Sequence, residues 1–207
     1  MLAAVLRPGK RPKSAENASI MKRVLCILRQ HWPDTHILLR GDDHFSKPEL
    51  MQLIAEIGNA DFIFGLAGNT VLSGKAEGLM KNARGHLELH QSLATKGLGP
   101  TVASVQLFGE FDYAAKSCPQ EYRVLLKAEV LAGHDGLLAK DNQRYVVTSL
   151  CSPTPRALYP HVYCQRGQAK NWIKQVKTDL KSDRTSASSF LSNFARLLLT
   201  ADRKSVV

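Results

Sequence analysis

The segment Ile37-Leu38-Leu39-Arg40-Gly41-Asp42-Asp43-His44-Phe45 opens on three aliphatic residues and runs into a glycine, two aspartates and a histidine. An aliphatic run without polar alternation marks a strand buried on both faces, as in the centre of a parallel sheet. Downstream, Ser46-Lys47-Pro48-Glu49 has the spacing of a capping box, with Ser46 at the cap and Glu49 three residues on. The helix it opens would bury Leu50, Leu53, Ile54 and Ile57 and close at Gly58. Asp61-Phe62-Ile63-Phe64 is the next strand. Upstream, Ser14 is placed to cap a helix reaching His31, with apolar positions from Ile20 to Trp32 at three-to-four spacing and Pro33-Asp34 as its stop. Before it, Leu2 to Leu6 reads as a short buried strand, and Lys10-Arg11-Pro12-Lys13 as a basic loop. Strand, helix, strand, helix, strand is an α/β alternation.

Residues 66–140 break that rhythm. Glycine is frequent and apolar runs are short, with Ser104–Phe108 and Tyr122–Lys127 as strands, so the region reads as a largely β insertion. Arg144–Thr148 returns to a strand, and Cys151 to Pro160, with three prolines, reads as a loop. A helix from Tyr163 to Lys181 and another from Ser186 to Thr200 follow. The expected organisation is therefore 1–65 as the first part of the core, 66–140 as the insertion, 141–201 as the return strand with C-terminal helices, and 202–207 as a tail.

The 207 residues carry 28 Lys+Arg against 18 Asp+Glu, a formal charge of +10. Residues 30–162 hold 12 basic and 14 acidic side chains, so the excess positive charge lies entirely at the two ends. Localised positive charge suits a polyanion, most simply nucleic acid; an even solubilising surface is the other reading. No run of 18 apolar residues occurs, which excludes a membrane-spanning helix. The four cysteines form no CxxC pair and read as reduced cytosolic thiols, so a cytoplasmic location is expected.

Two groups of residues carry chemistry. Asp42, with Asp43 and His44 beside it, lies just past a buried parallel strand, where α/β folds place ligand-binding groups. Asp42 there suits a hard cation such as Mg²⁺, or serves only as a turn residue. Tyr163, Arg166, Lys170, Lys174, Lys177 and Lys181 are spaced 3, 4, 4, 3 and 4, one face of a regular helix. The stripe has one sign of charge, whereas an ordinary exposed helix mixes signs; it would grip phosphates, or be a solvated face. Ile173, Val176 and Leu180 would pack on the sheet. His86 and His90 are four apart but lack a third ligand at recognisable spacing. Gly65-Leu66-Ala67-Gly68-Asn69 lacks the phosphate-loop spacing and reads as a turn.

Taken together, Leu6–Gly9, His31–Asp34, Leu39–Phe45, Phe64–Asn69, Tyr163–Ala169, Ile173–Leu180 and Asp183–Ser186 resemble, in order, the DDE transposases of bacterial insertion sequences. The resemblance implies an α/β fold with a partial RNase H-like core, a mixed sheet flanked by helices, carrying the largely β insertion. It implies phosphoryl transfer on transposon-end DNA with Mg²⁺ held by three carboxylates. It assigns the second acid, and so a metal ligand, to Asp42, and the family's signature matches at Tyr163, Arg166 and Lys177; with Lys174 from the charged face, these are the expected DNA contacts. The glutamate position of the family's last catalytic helix falls on Lys170. The family's first aspartate lies upstream of Leu6-Arg7-Pro8, so the chain is expected to be truncated at its N-terminus and inactive alone. The alternative is a non-catalytic DNA-binding protein or regulator. A homo-oligomer, full-length transposase and a nucleoid association when DNA-bound are the implied partners and place.

Overall fold

Parallel pairing of two short strands organises one half of the chain. The computed structural model describes residues 14–115, 118, 120–133, 139–181, 184 and 186–202. The expected strand at Leu2–Leu6 and the basic loop at 10–13 lie outside the described residues, as does Asp183. Two compact units emerge: residues 36–164, and the described residues of 1–35 with 165–207.

In the first unit, β1 (Ile37–Gly41) pairs in parallel with β2 (Ala60–Leu66), Leu39 opposite Phe62 and Gly41 opposite Phe64. Helix α2 (Pro48–Ile57) makes the crossover and buries Leu50, Met51 and Ile54. Three long antiparallel strands complete the sheet: β3 (Ser104–Tyr113), β4 (Tyr122–Leu131) and β5 (Lys140–Thr148). The order is β1-β2-β5-β4-β3, with β5 antiparallel to β2. The expected α/β class, a mixed sheet flanked by helices, is the observed one.

Side chains alternate across β2. Phe62 and Phe64, with ring centroids 5.1 Å apart, are buried on one side. Ile63 is buried on the other with Leu125, Val146, Leu158, Tyr159 and Tyr163. Both faces of β2 are thus buried, which explains why its sequence shows no polar alternation.

The region 66–140 differs from its expected β character at its start. Residues Thr70–Thr95 form a 26-residue helix, α3, which packs on β3, β4 and β5. Its buried stripe is Leu72, Ala76, Met80, Ala83 and Leu87, at helical spacing but partly written in alanine. The Asn69 side chain caps it, accepting from the Leu72 amide at 2.9 Å. Gly74, Gly78 and Gly85 lie on the exposed side, where an added Cβ would meet nothing. The strands of this region are hydrogen-bonded into the same sheet as β2, through β5.

Two local readings are corrected. Helix α2 has Lys47 at its cap position, with no side-chain cap bond. Ser46 instead donates to the Asp43 carbonyl at 2.9 Å, and Pro48 starts the helix without needing a donor partner. The expected loop over 151–160 turns helical early: α4 covers Pro155–Leu158 and continues as a π turn over Tyr159–Tyr163 and a 3₁₀ turn over Cys164–Arg166. Here too a proline occupies the first helical turn.

The second unit contains α1 (Ser14–His31), α5 (Gly167–Leu180) and α6 (Phe190–Asp202). The α1 boundaries are those expected, and Arg29 closes its end by donating to the carbonyls of Pro33 and Thr35. Ile173 of α5 is 56% exposed, against the expectation that it packs on the sheet. Among the described residues no helix is long and apolar enough to cross a membrane.

Two carboxylates sit in polar networks within the first unit. Glu129, 7% exposed, accepts from Gln106 at 2.6 Å, Lys127 at 3.0 Å and Asn142 at 2.5 Å. Asp61 accepts from Ser149 at 2.6 Å and lies 2.8 Å from His36. Burial pushes both carboxyls up, but their hydrogen-bond partners outweigh it and hold both below the ordinary carboxylate range.

Two outcomes are expected. Gly74→Ala and Gly78→Ala each raise stability by roughly 0.5–1 kcal/mol, read from the urea midpoint, because alanine costs less in an exposed helix interior. A drop in the midpoint would contradict the open space at these positions. Both depressed carboxyls contribute stability that is complete above about pH 4.3, the unfolded glutamate value, and lost as pH falls through their folded values. Acid titration of the unfolding free energy should therefore slope downward below that pH, and Asp61→Asn should reduce the slope.

Candidate active site

The chain leaves β1 at Gly41 and folds at once into a tight turn. The Asp42 side chain accepts from the His44 amide at 3.1 Å, and the Asp42 carbonyl accepts from the Phe45 amide at 3.1 Å. This is an Asx-type turn, the local structure short acidic side chains favour. Phe45 anchors it: its ring lies 6.0 Å from that of Phe64, over Gly41, where a Cβ would come within 2.7 Å of the ring.

Three ligand-type groups converge there. The His44 Nδ1 lies 3.4 Å from Asp42 Oδ1 and 3.3 Å from Asp43 Oδ1. One ligand atom from each of Asp42, Asp43 and His44 lies within 4.8 Å of the others, the sole such grouping among the described residues. His86 and His90 join no such group. All three side chains reach solvent, with 43%, 53% and 44% of their surfaces exposed.

Tyr163 comes to the same place from the other end of the unit. It is buried, 8% exposed, and its ring lies 5.4 Å from that of Tyr159, which lies 5.7 Å from Phe108 of β3. Arg40 ties the π turn to β1 by donating to the Val162 carbonyl at 3.3 Å. A Cβ at Gly65 would sit 2.7 Å from the Tyr163 hydroxyl and 3.0 Å from the Asp43 amide nitrogen. The hydroxyl and the acidic turn therefore meet over the one position of β2 that has no side chain.

The expected residues thus divide. Asp42 and Tyr163 meet within one compact unit. Lys174 and Lys177, both exposed, belong to α5 in the other, and the half-buried Arg166, in the same unit, ends the 3₁₀ turn that precedes the helix. Tyr163 does not share their exposed face. The single-face reading assumed 100° per residue throughout, and the π and 3₁₀ turns over 159–166 break that register. Gly65 and Phe45 were not foreseen as site residues. A glycine inside a strand marks close approach by another group, and that signal was available in Phe64-Gly65-Leu66.

The model of the transposase DDE domain, group 1, matches residues 1–202. The chain belongs to this family. No curated protein and no solved structure matches it. Transposases of this kind act on DNA with divalent metal ions, and the mixed five-stranded sheet flanked by helices agrees with an RNase H-like DDE domain. The donor set at the acidic turn fits one such ion. Two carboxylates supply hard oxygen ligands and two negative charges, and an imidazole adds a third donor.

Packing over Gly65 gives a direct test. Gly65→Ala should lower stability by about 1–3 kcal/mol through overpacking against the Tyr163 hydroxyl. Adding Tyr163→Phe should recover part of that loss, measured by denaturant unfolding. Strict additivity of the two substitutions would show that the hydroxyl is not the group in the way.

Proposed function

We propose that the turn Asp42-Asp43-His44 is the remnant of the DNA phosphoryl-transfer site of this transposase domain, and that the chain by itself does not cut or join DNA. The observation that supports the site is the convergence of the acidic turn and the Tyr163 hydroxyl at the end of the parallel strands.

Asp42 and Asp43 would hold one divalent ion, Mg²⁺ in the ordinary case, with His44 beside them. When bound, such an ion activates the attacking oxygen or stabilises the leaving one on the phosphate. The Tyr163 hydroxyl and the Asp43 amide face the same point over Gly65. Two ions about 4 Å apart need more anionic ligands than this turn offers. In the sequence, Lys170 stands at the position the resemblance gives to the family's glutamate, so that carboxylate is not supplied there. Neither Asp43 nor Asp179 stands at a motif position.

DNA binding is the retained activity. Lys174 and Lys177 supply positive charge on a helix whose single acid is Asp179, and Arg166 adds to it from the 3₁₀ turn just before. The second reading, a DNA-binding regulator of intact transposase acting on transposon ends in the cytoplasm, alone or as a homo-oligomer, rests on this same charge.

The purified chain should bind DNA with strong salt dependence. Each phosphate contact contributes about 0.9 to the slope of log K against log salt, so Arg166→Glu with Lys174→Glu and Lys177→Glu should flatten it by up to about three. An unchanged slope removes these residues from the interface. No Mg²⁺-dependent nicking or strand transfer is expected. Robust activity abolished by Asp42→Ala would refute the inactivity and keep the site.

A further inference from the structure

The face of the sheet that meets Tyr163 continues past the acidic turn. Register and alternation place Phe108, Lys127 and Arg144 side by side on it, one each from β3, β4 and β5. The same alternation puts them on the side of Ile63, Leu125 and Val146, and the contact of the Phe108 ring with Tyr159 fixes that side independently. Helix α3 lies against the opposite side, where its Arg84 pairs with Asp141. Val146 stands opposite Gly65 in the ladder, and Arg144 is the next position of β5 on the same face. One step along this face therefore leads from Arg144 to the point where the Tyr163 hydroxyl and the Asp43 amide meet.

Lys127 and Arg144 are direct cross-strand partners, and like charges so placed repel. Lys127 is offset: it donates to Glu129 at 3.0 Å. Arg144 is not. Glu129 also accepts from Gln106 and Asn142, Glu110 is held by Arg123, and Asp141 by Arg84 from the other side. The exposed Arg144 side chain makes no hydrogen bond, ion pair or ring contact with another described residue. A guanidinium in this position offers a planar fork of donors, the arrangement that suits a phosphate.

We propose that Arg144 holds a phosphate of the DNA strand that passes over the acidic turn, with Lys127 adding charge beside it. The inference rests on the phosphoryl-transfer reading above and extends its binding surface onto the sheet. Asp42 and Arg144 stand two strands and two residues apart, about 12 Å between Cα positions at ordinary strand spacing and rise. The guanidinium would thus meet a phosphate neighbouring the one at the turn, not the same one. A polyanion can engage Arg144 and a cation on the turn together, whereas a small anion engages only one of them.

The test is a titration of a random-sequence duplex with the purified chain at several salt concentrations, in Mg²⁺ and in EDTA at matched ionic strength. In Mg²⁺, Arg144→Gln should weaken binding about 10-fold and lower the slope of log K against log salt by about 0.9, the loss of one phosphate contact. Arg144→Lys should keep the slope and recover part of the affinity. The loss should be smaller in EDTA, because bare carboxylates at the turn repel a strand drawn toward Arg144. The urea midpoint should not fall, since Arg144 has no partner to lose among the described residues. An unchanged slope in Arg144→Gln, where charge reversal at Arg166, Lys174 and Lys177 still flattens it, would overturn the proposal and leave that DNA contact standing. Equal losses in Mg²⁺ and EDTA would overturn the shared path over the turn. A lowered midpoint would make Arg144 a structural residue and overturn its binding role. No binding by the parent chain in either condition would overturn this proposal and the DNA-binding reading together.

Discussion

Everything at the acidic turn depends on the parallel pairing of β1 with β2. Parallel strands send their C-terminal ends to the same edge, so Asp42 leaves β1 beside Gly65 of β2. The pairing also fixes what the turn can do. Phe64 buries one side of β2 and receives Phe45, which pins the far end of the turn. Ile63 buries the other side against the π turn that carries Tyr163. A one-residue slip between the strands would exchange those faces and separate the hydroxyl from the acids together.

Electrostatics then limits the chemistry. The turn presents two carboxylates to solvent, with an imidazole within ion-pair distance of both. The imidazole is the third ligand-type group of the turn. A cation site made this way is open on its solvent side and shallow. It stands in contrast to Glu129, whose three donors and burial satisfy it within the sheet and leave nothing for a ligand.

The parts legible in the sequence were those where one signal acted alone. Ile37–Leu39 and Asp61–Phe64 have no polar alternation and are strands, and α1 follows a clean three-to-four pattern from Ser14 to His31. Asp42 stood out because it follows such a strand. Where signals competed, the outcome was hidden. Three exposed glycines and a stripe partly of alanine masked α3, because propensity and periodicity disagreed there and packing on β3 and β4 settled it. Tyr163 was grouped with the lysines because a regular wheel assumes a regular helix, and a single π turn is invisible to composition. Contacts such as Tyr163 over Gly65 join residues 98 positions apart, and no local pattern encodes them.

The helical period of α5 places its lysines and its indole on different sides. Lys170 and Lys177 lie more than a third of a turn from Trp172 around the axis. A phosphate met by lysines is held by counterion release, a contribution that fades with salt and ignores sequence. Lys170, Lys174 and Lys177 outnumber the helix's one acid, Asp179, so α5 carries net positive charge along its length.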